Sequence, residues 1–207
     1  LLMYDRTSDS LWSQALGKAV VGPLTGKELV VYSSNTISWN EFKKNFRSGE
    51  VLSKNTGEVR DYTRNPYGNY FTNNTLFFPV DHKDSRMNSK EIVFGLKRGE
   101  GRMALALKDV EKAKVINTDV GDVSVLVLFD ETLKTATAFV REIDGAEITF
   151  SFKNGNLVDN SGSRWTMSGK GISGSNAGFQ LKAIPLENMF WFSWASSHPG
   201  TDIYELP

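Results

Sequence analysis

Ser163-Arg164-Trp165-Thr166, followed by Gly169-Lys170, Gly174, Gly178, Leu181 and Trp191, is a passage the chain also spells near its start. There it reads Ser10-Leu11-Trp12-Ser13, then Gly17-Lys18, Gly22, Gly26, Leu29 and Trp39. Gly17, Lys18, Gly22, Gly26, Leu29 and Trp39 all recur 152 positions later. Ser10 and Trp12 recur at 153, one single-residue deletion away, and Asp5 and Asp159 fit with one deletion more. Val51 and Ile203 keep the offset of 152 to the end of both passages. Glycines alone would say little, but paired tryptophans at fixed spacing mark a repeated structural unit.

Gly17, Gly22 and Gly26 are spaced as turns or bulges between short strands, where the backbone needs a positive φ or a close approach. Trp12 and Trp165 then read as the large core residue of each unit, since burial is the default use of so much apolar area. Each unit continues with a short strand (28–32 and 180–186), a short helix and a last strand. Ser38-Trp39-Asn40-Glu41 is a capping-box pattern that opens a helix through about Phe46. Residues 189–197 carry Phe190, Trp191, Phe192 and Trp194, enough for a buried helix or an exposed aromatic patch.

The second unit has a leader. Residues 122–129, 135–141, 146–152 and 156–159 read as successive strands, with Asp144-Gly145 and Asn154-Gly155 as two-residue hairpin signals. A matching leader for the first unit would lie before Leu1, about 40 residues if the repeats are equal. The expected fold is therefore mainly β with a few short helices, in two repeated β-rich units related by internal duplication, the first truncated at its N-terminus. Residues 1–53 form the first unit, 54–112 an inter-repeat segment and 113–207 the second unit. The middle segment is less regular: Asn65-Pro66-Tyr67-Gly68 is turn chemistry, and residues 91–97 read as a strand.

Composition excludes several function classes. The chain has 207 residues and is 40% hydrophobic, with 24 basic residues balancing 24 acidic ones. Nucleic acid is not an expected partner, since duplex binding calls for a basic excess. Lys97, Arg98 and Arg102 form the nearest basic cluster, and Glu100 interrupts it. There is no cysteine, so no disulfide or thiolate comes from this chain. His82 and His198 are the only histidines, too few for an all-histidine site, and no metal or cofactor is expected. The longest apolar run, Val125 to Phe129, is far short of the roughly 20 residues of a membrane helix. A soluble protein is expected.

The motifs Met3-Tyr4-Asp5-Arg6, Ser10-Leu11-Trp12-Ser13-Gln14, Gly22-Pro23-Leu24-Thr25-Gly26, Arg60-Asp61-Tyr62, Asn65-Pro66-Tyr67 and Gly162-Ser163-Arg164-Trp165 resemble domain of unknown function family 3179 of bacteria and archaea. The resemblance spans nearly the whole chain. It implies a location, because many members look exported or lipid-anchored; no activity or catalytic residue comes with it. Members begin with a segment bearing a Cys-Pro-x-Cys-like motif, which has no counterpart here. His198-Pro199 matches their late His-Pro, while Phe46-Arg47 stands at the equivalent place in the first unit.

No nucleophile elbow, Walker loop, zinc motif or dinucleotide fingerprint is present. Asp5 and Asp159, a repeat-related pair, are the catalytic candidates, because two facing carboxylates can do acid–base work. The alternative is that each caps the turn before its tryptophan strand. Arg60, Asp61, Tyr67, Tyr70, His82 and Arg86 are the ligand-binding candidates, with Arg60, Tyr67 and Arg86 expected to converge on a pocket. The same set also reads as an ion pair, Arg60 or Arg86 with Asp61, tying down a long loop. The leading expectation is a non-enzymatic extracytoplasmic (periplasmic or cell-envelope) protein with a binding or structural role. The alternatives are a carboxylate-dependent hydrolase of an envelope or carbohydrate substrate, and metal or cofactor handling through an absent N-terminal segment. An assembly partner, or a cleaved N-terminal segment, is expected to complete the first unit.

Overall fold

A computed structural model describes residues 2–206 of the chain. It opens with an antiparallel meander of β1 (Leu2–Asp5), β2 (Ser10–Ser13) and β3 (Lys18–Val21), followed by helix α1 (Trp39–Asn45). β4 (Ile92–Arg98), β5 (Gly101–Ala106), α2 (Leu107–Ala113), β6 (Val115–Val120), β7 (Val123–Asp130) and β8 (Thr135–Val140) come next. Two small hairpins follow, β9 (Glu142–Ile143) with β10 (Ala146–Glu147), and β11 (Phe150–Lys153) with β12 (Asn156–Asp159). The chain ends in β13 (Arg164–Trp165), β14 (Gly171–Ser173), β15 (Ala183–Ile184), β16 (Glu187–Phe190), α3 (Trp191–Ser197) and β17 (Asp202–Ile203). The fold is mainly β with three short α-helices among the described residues.

From β4 onward the strands stack in layers around β7. Its sequence, Val-Ser-Val-Leu-Val-Leu-Phe-Asp, is an apolar run rather than an alternation, the signature of a strand covered on both faces. Side chains alternate across a strand, so Val125, Val127 and Phe129 enter one core while Leu126 and Leu128 enter another. The first core is closed by Phe94 and Leu96 of β4, Leu105 of β5 and Val110 of α2. Phe150, Leu157, Trp165 and Leu181 close the second. On the far face of the β16-β4-β5-β17 sheet, α3 packs Trp191 and Trp194 over Val93 and Ala104. Trp194 lies so close over Gly95 that a Cβ there would run into its ring. The expected helix or aromatic patch near residue 191 is thus a buried helix.

Several readings hold at the level of single residues. Asp144-Gly145 and Asn154-Gly155 sit at the two hairpin turns with φ of 50° and 79°, and 50° and 75°, as the favoured two-residue turn demands. The Oγ of Ser38 accepts from the Glu41 amide at 3.2 Å, capping α1 as the pattern implied. Other readings are corrected. Of the strand expected at 28–32, only Glu28 forms a bridge, to Lys18, and residues 29–37 run on without regular structure. No strand follows α1 near Val51, whereas its counterpart Ile203 lies in β17 because β5 gives it a pairing edge. β4 and β5, N-terminal to residue 113, pair with β16 and β17 of the C-terminal part.

The two tryptophan meanders make matching bonds. The Leu29 amide donates to Gly17 O and the Leu181 amide to Gly169 O, both at 2.8 Å. Gly26 donates to Ala19 O and Gly178 to Gly171 O, both at 2.9 Å. Buried Ser10 accepts from the Leu24 amide through its Oγ at 3.2 Å, and buried Ser163 from the Asn176 amide at 3.1 Å. Each meander carries a bulge at its tryptophan.

Candidate functional site

Three places hold the sequence's candidate residues. The first is the middle segment. A single 3₁₀ turn, Tyr70–Thr72, presents Tyr70 to Phe77, ring centroids 4.0 Å apart and stacked. Lys90 lies over the Tyr70 ring at 3.5 Å and donates to Asn73 Oδ1 at 3.2 Å, to Thr75 O at 2.7 Å and to Tyr70 O. Desolvation in this setting lowers the pKa of Lys90. Phe71 touches Tyr67 on one side and Phe190 on the other, and Phe190 stacks on Phe192, so a row of rings runs from the segment to α3.

Asp84 and Arg86 pin the segment's end. Arg86 Nη2 meets Asp84 Oδ2 at 2.6 Å and donates to Thr201 O at 3.0 Å, while its guanidinium lies 5.5 Å from the Trp191 ring. Trp191 Nε1 returns a 2.9 Å bond to Asp84 O. The Arg86 hydrogen bond holds the Asp84 carboxyl below its ordinary range. A cavity of about 710 Å³ opens beside this staple, lined by His82, Asp84, Asn74, Asn88, Phe78 and Phe192.

Of the six ligand-binding candidates, only His82 lines that cavity. Tyr70 sits in the Lys90 cluster, and Arg86 turns toward α3. Asp61 accepts from the Thr63 amide at 2.9 Å and hydroxyl at 2.6 Å, a local turn whose hydroxyl bond lowers its pKa. Arg60 and Tyr67 are exposed. Arg60, Tyr67 and Arg86 do not line that cavity, and Arg86 is held by Asp84, Thr201 and Trp191. The ion pair expected at Asp61 forms instead between Arg86 and Asp84. Lys90 and Asp84 went unnoticed in the sequence; Lys90 donates largely to backbone carbonyls, which leave no residue signature, and the Asp84 carboxylate pairs with Arg86 inside an irregular segment.

The second place is the carboxylate pair. Asp5 lies in the β1–β3 sheet and accepts from Thr7 N at 2.9 Å and Ser8 Oγ at 2.6 Å. The Ser8 hydroxyl is the main cause that lowers its pKa. Asp159 lies in the β11–β14 sheet and is buried. Burial acts to raise its pKa, but bonds from Ser161, Asn176 and Trp165 outweigh that and hold the carboxyl below its usual range. Each carboxylate is committed to the turn before its own tryptophan. Among the described residues no three His, Cys, Asp or Glu side chains cluster as metal ligands would.

The third place is a group of exposed apolar residues in the N-terminal part of the chain. Leu29 is 38% exposed where Leu181 is 4%, and Trp39 is 54% exposed where Trp191 is fully buried. Trp12, expected to be buried like Trp165, is only half-buried. The cause is local: β6–β8 and β11 cover Trp165, and among the described residues nothing equivalent covers Trp12. Leu2, Met3 and Tyr4 of edge strand β1 are exposed as well.

The family described as a protein of unknown function, DUF3179, matches residues 1–201, and the chain belongs to that family. No curated protein and no solved structure matches it.

Proposed function

We propose that this member of the DUF3179 family is an extracytoplasmic β-rich protein with a binding or structural role, built on an internal duplication whose first unit is completed by an apolar partner surface. The observation that carries the reading is the unequal burial of matched positions, Leu29 against Leu181 and Trp39 against Trp191. Core-type residues left exposed are the mark of an interaction surface. The duplication is supported by the offset of 152, by the matching Gly17 and Gly169 bonds, and by the two seven-residue helices that begin at Trp39 and Trp191. Both single-residue differences in offset fall in turns, between Asp5 and Ser10 and between Trp12 and Gly17, where length changes cost least. The extracytoplasmic placement draws on the family resemblance, and no described helix is long and apolar enough to cross a membrane.

The test is acrylamide quenching of protein purified from its natural source beside the 207-residue chain. Completion of the first unit predicts that the natural form shields Trp12 and Trp39, while the chain alone leaves them accessible. Equal accessibility in both preparations would defeat the reading.

A further inference from the structure

We infer that the first unit is completed by β-strand addition to the free edge of β1, and that the added strand is the stretch of the same polypeptide immediately N-terminal to Leu1. This rests on the duplication proposed above and adds a specific edge, register and source to it.

In the second unit, the strand matched to β1 is β12. The pairs Met3↔Trp12 and Leu157↔Trp165 occupy the same place in their sheets, as do Asp5 and Asp159 at the strand ends. β12 has two neighbours, β13 on one side and β11 on the other. β1 has only β2, so its other edge carries unpaired amides and carbonyls among the described residues. An open edge with apolar side chains is a template for a further strand. The residues in register on β12 are Phe150 with Asp159, Ser151 with Val158, Phe152 with Leu157 and Lys153 with Asn156. Transferred to β1, they define a four-residue strand opposite Asp5, Tyr4, Met3 and Leu2.

Connectivity fixes the source. β11 enters β12 through the two-residue turn Asn154-Gly155, so the covering strand directly precedes the strand it covers. The equivalent strand for β1 is then the stretch of chain that leads into it. Chemistry fixes one of its residues. Phe150 is buried and meets Trp165 edge-to-face, ring centroids 5.5 Å apart, from a position nine residues before Asp159. The residue nine positions before Asp5 is accordingly a large apolar one that packs against Trp12.

The 207 residues contain no cysteine, and any cysteine in the added stretch is replaced by serine, so that the engineered pair is the only one. The experiment takes the protein extended by the residues its reading frame places before Leu1, with Tyr4→Cys and a second cysteine seven positions earlier, the pairing seen between Ser151 and Val158. Mild oxidation should form an intramolecular disulfide in most molecules, and hydrogen exchange of the β1 amides in the cysteine-free extended protein should slow at least tenfold relative to the 207-residue chain. Fast β1 exchange with Trp12 and Trp39 shielded overturns strand addition and leaves the broader reading intact. A disulfide that forms only between molecules, with protection that rises with concentration, overturns the source in favour of a second copy. A reading frame with no strand-forming stretch before Leu1 overturns it outright.

Discussion

Nε1 of Trp165 donates a 2.9 Å hydrogen bond to Oδ2 of Asp159, deep in the second meander. The same oxygen receives Asn176 Nδ2 at 2.7 Å, and the other takes Ser161 Oγ at 2.6 Å and the Ser163 amide at 3.0 Å. One buried carboxylate therefore holds the indole, the turn before it and the loop beyond it.

Replacing Asp159 with alanine orphans several buried donors at once, and should cost about 2–4 kcal/mol in urea denaturation. Asp159→Asn keeps the shape but loses the charge-assisted bonds, and should cost less. Because the folded carboxyl has the lower pKa, its contribution is fully present above the unfolded value of 3.8 and fades as pH falls below it. Denaturation series at pH 5 and pH 3 on wild type and Asp159→Asn should show that difference shrinking in acid.

His198 gives the opposite ring chemistry and the same sign. It is buried against Trp194, ring centroids 4.2 Å apart, with Nε2 unpartnered. Desolvation, aided by Lys97 and Arg102, lowers its pKa from 6.5 to about 4. The unfolded chain thus takes up a proton that the folded one refuses between those values. Stability from this residue is complete above pH 6.5 and is lost progressively down to pH 4, by about 3 kcal/mol at most. His198→Phe, which keeps an aromatic ring but removes the titrating group, should flatten that stretch of the stability–pH curve.

Gly95 lies in mid-strand under the Trp194 ring. Gly95→Ala should displace the indole and destabilise by about 1–3 kcal/mol, read as a lower thermal midpoint. The double variant with Trp194→Leu should recover part of the loss.

The two helix tryptophans should behave unequally. Trp191→Ala opens a cavity in the core beneath α3 and should cost about 3–5 kcal/mol, while Trp39→Ala in this chain should change stability by less than about 0.5 kcal/mol. Equal losses would mean that the face around Trp39 is covered already.

What the sequence disclosed was whatever local chemistry forces. A positive φ at Asp144 and Asn154 is tolerated by few residues, so both hairpins were readable. The strand β5 and helix α2 were not, because Met103 to Leu107 is a continuous apolar run that crosses from one to the other. No capping side chain marks the switch at Ala106, and Lys114 ends the helix at φ 63° where glycine would have been legible. At the candidate site, Asp5 and Asp159 were recognisable as turn caps. The meeting of Lys90 with Tyr70, twenty positions apart across an irregular segment, follows no periodicity.

β7 belongs to two cores at once, and that sets how the molecule comes apart. Neither core can melt while the other survives, since losing one face of this strand strips support from its other face. The two cores that share β7 should therefore open together, with the amides of Leu126 to Leu128 among the slowest to exchange. The first meander shares no strand with the layers around β7. Its amides should therefore exchange faster than those of β7.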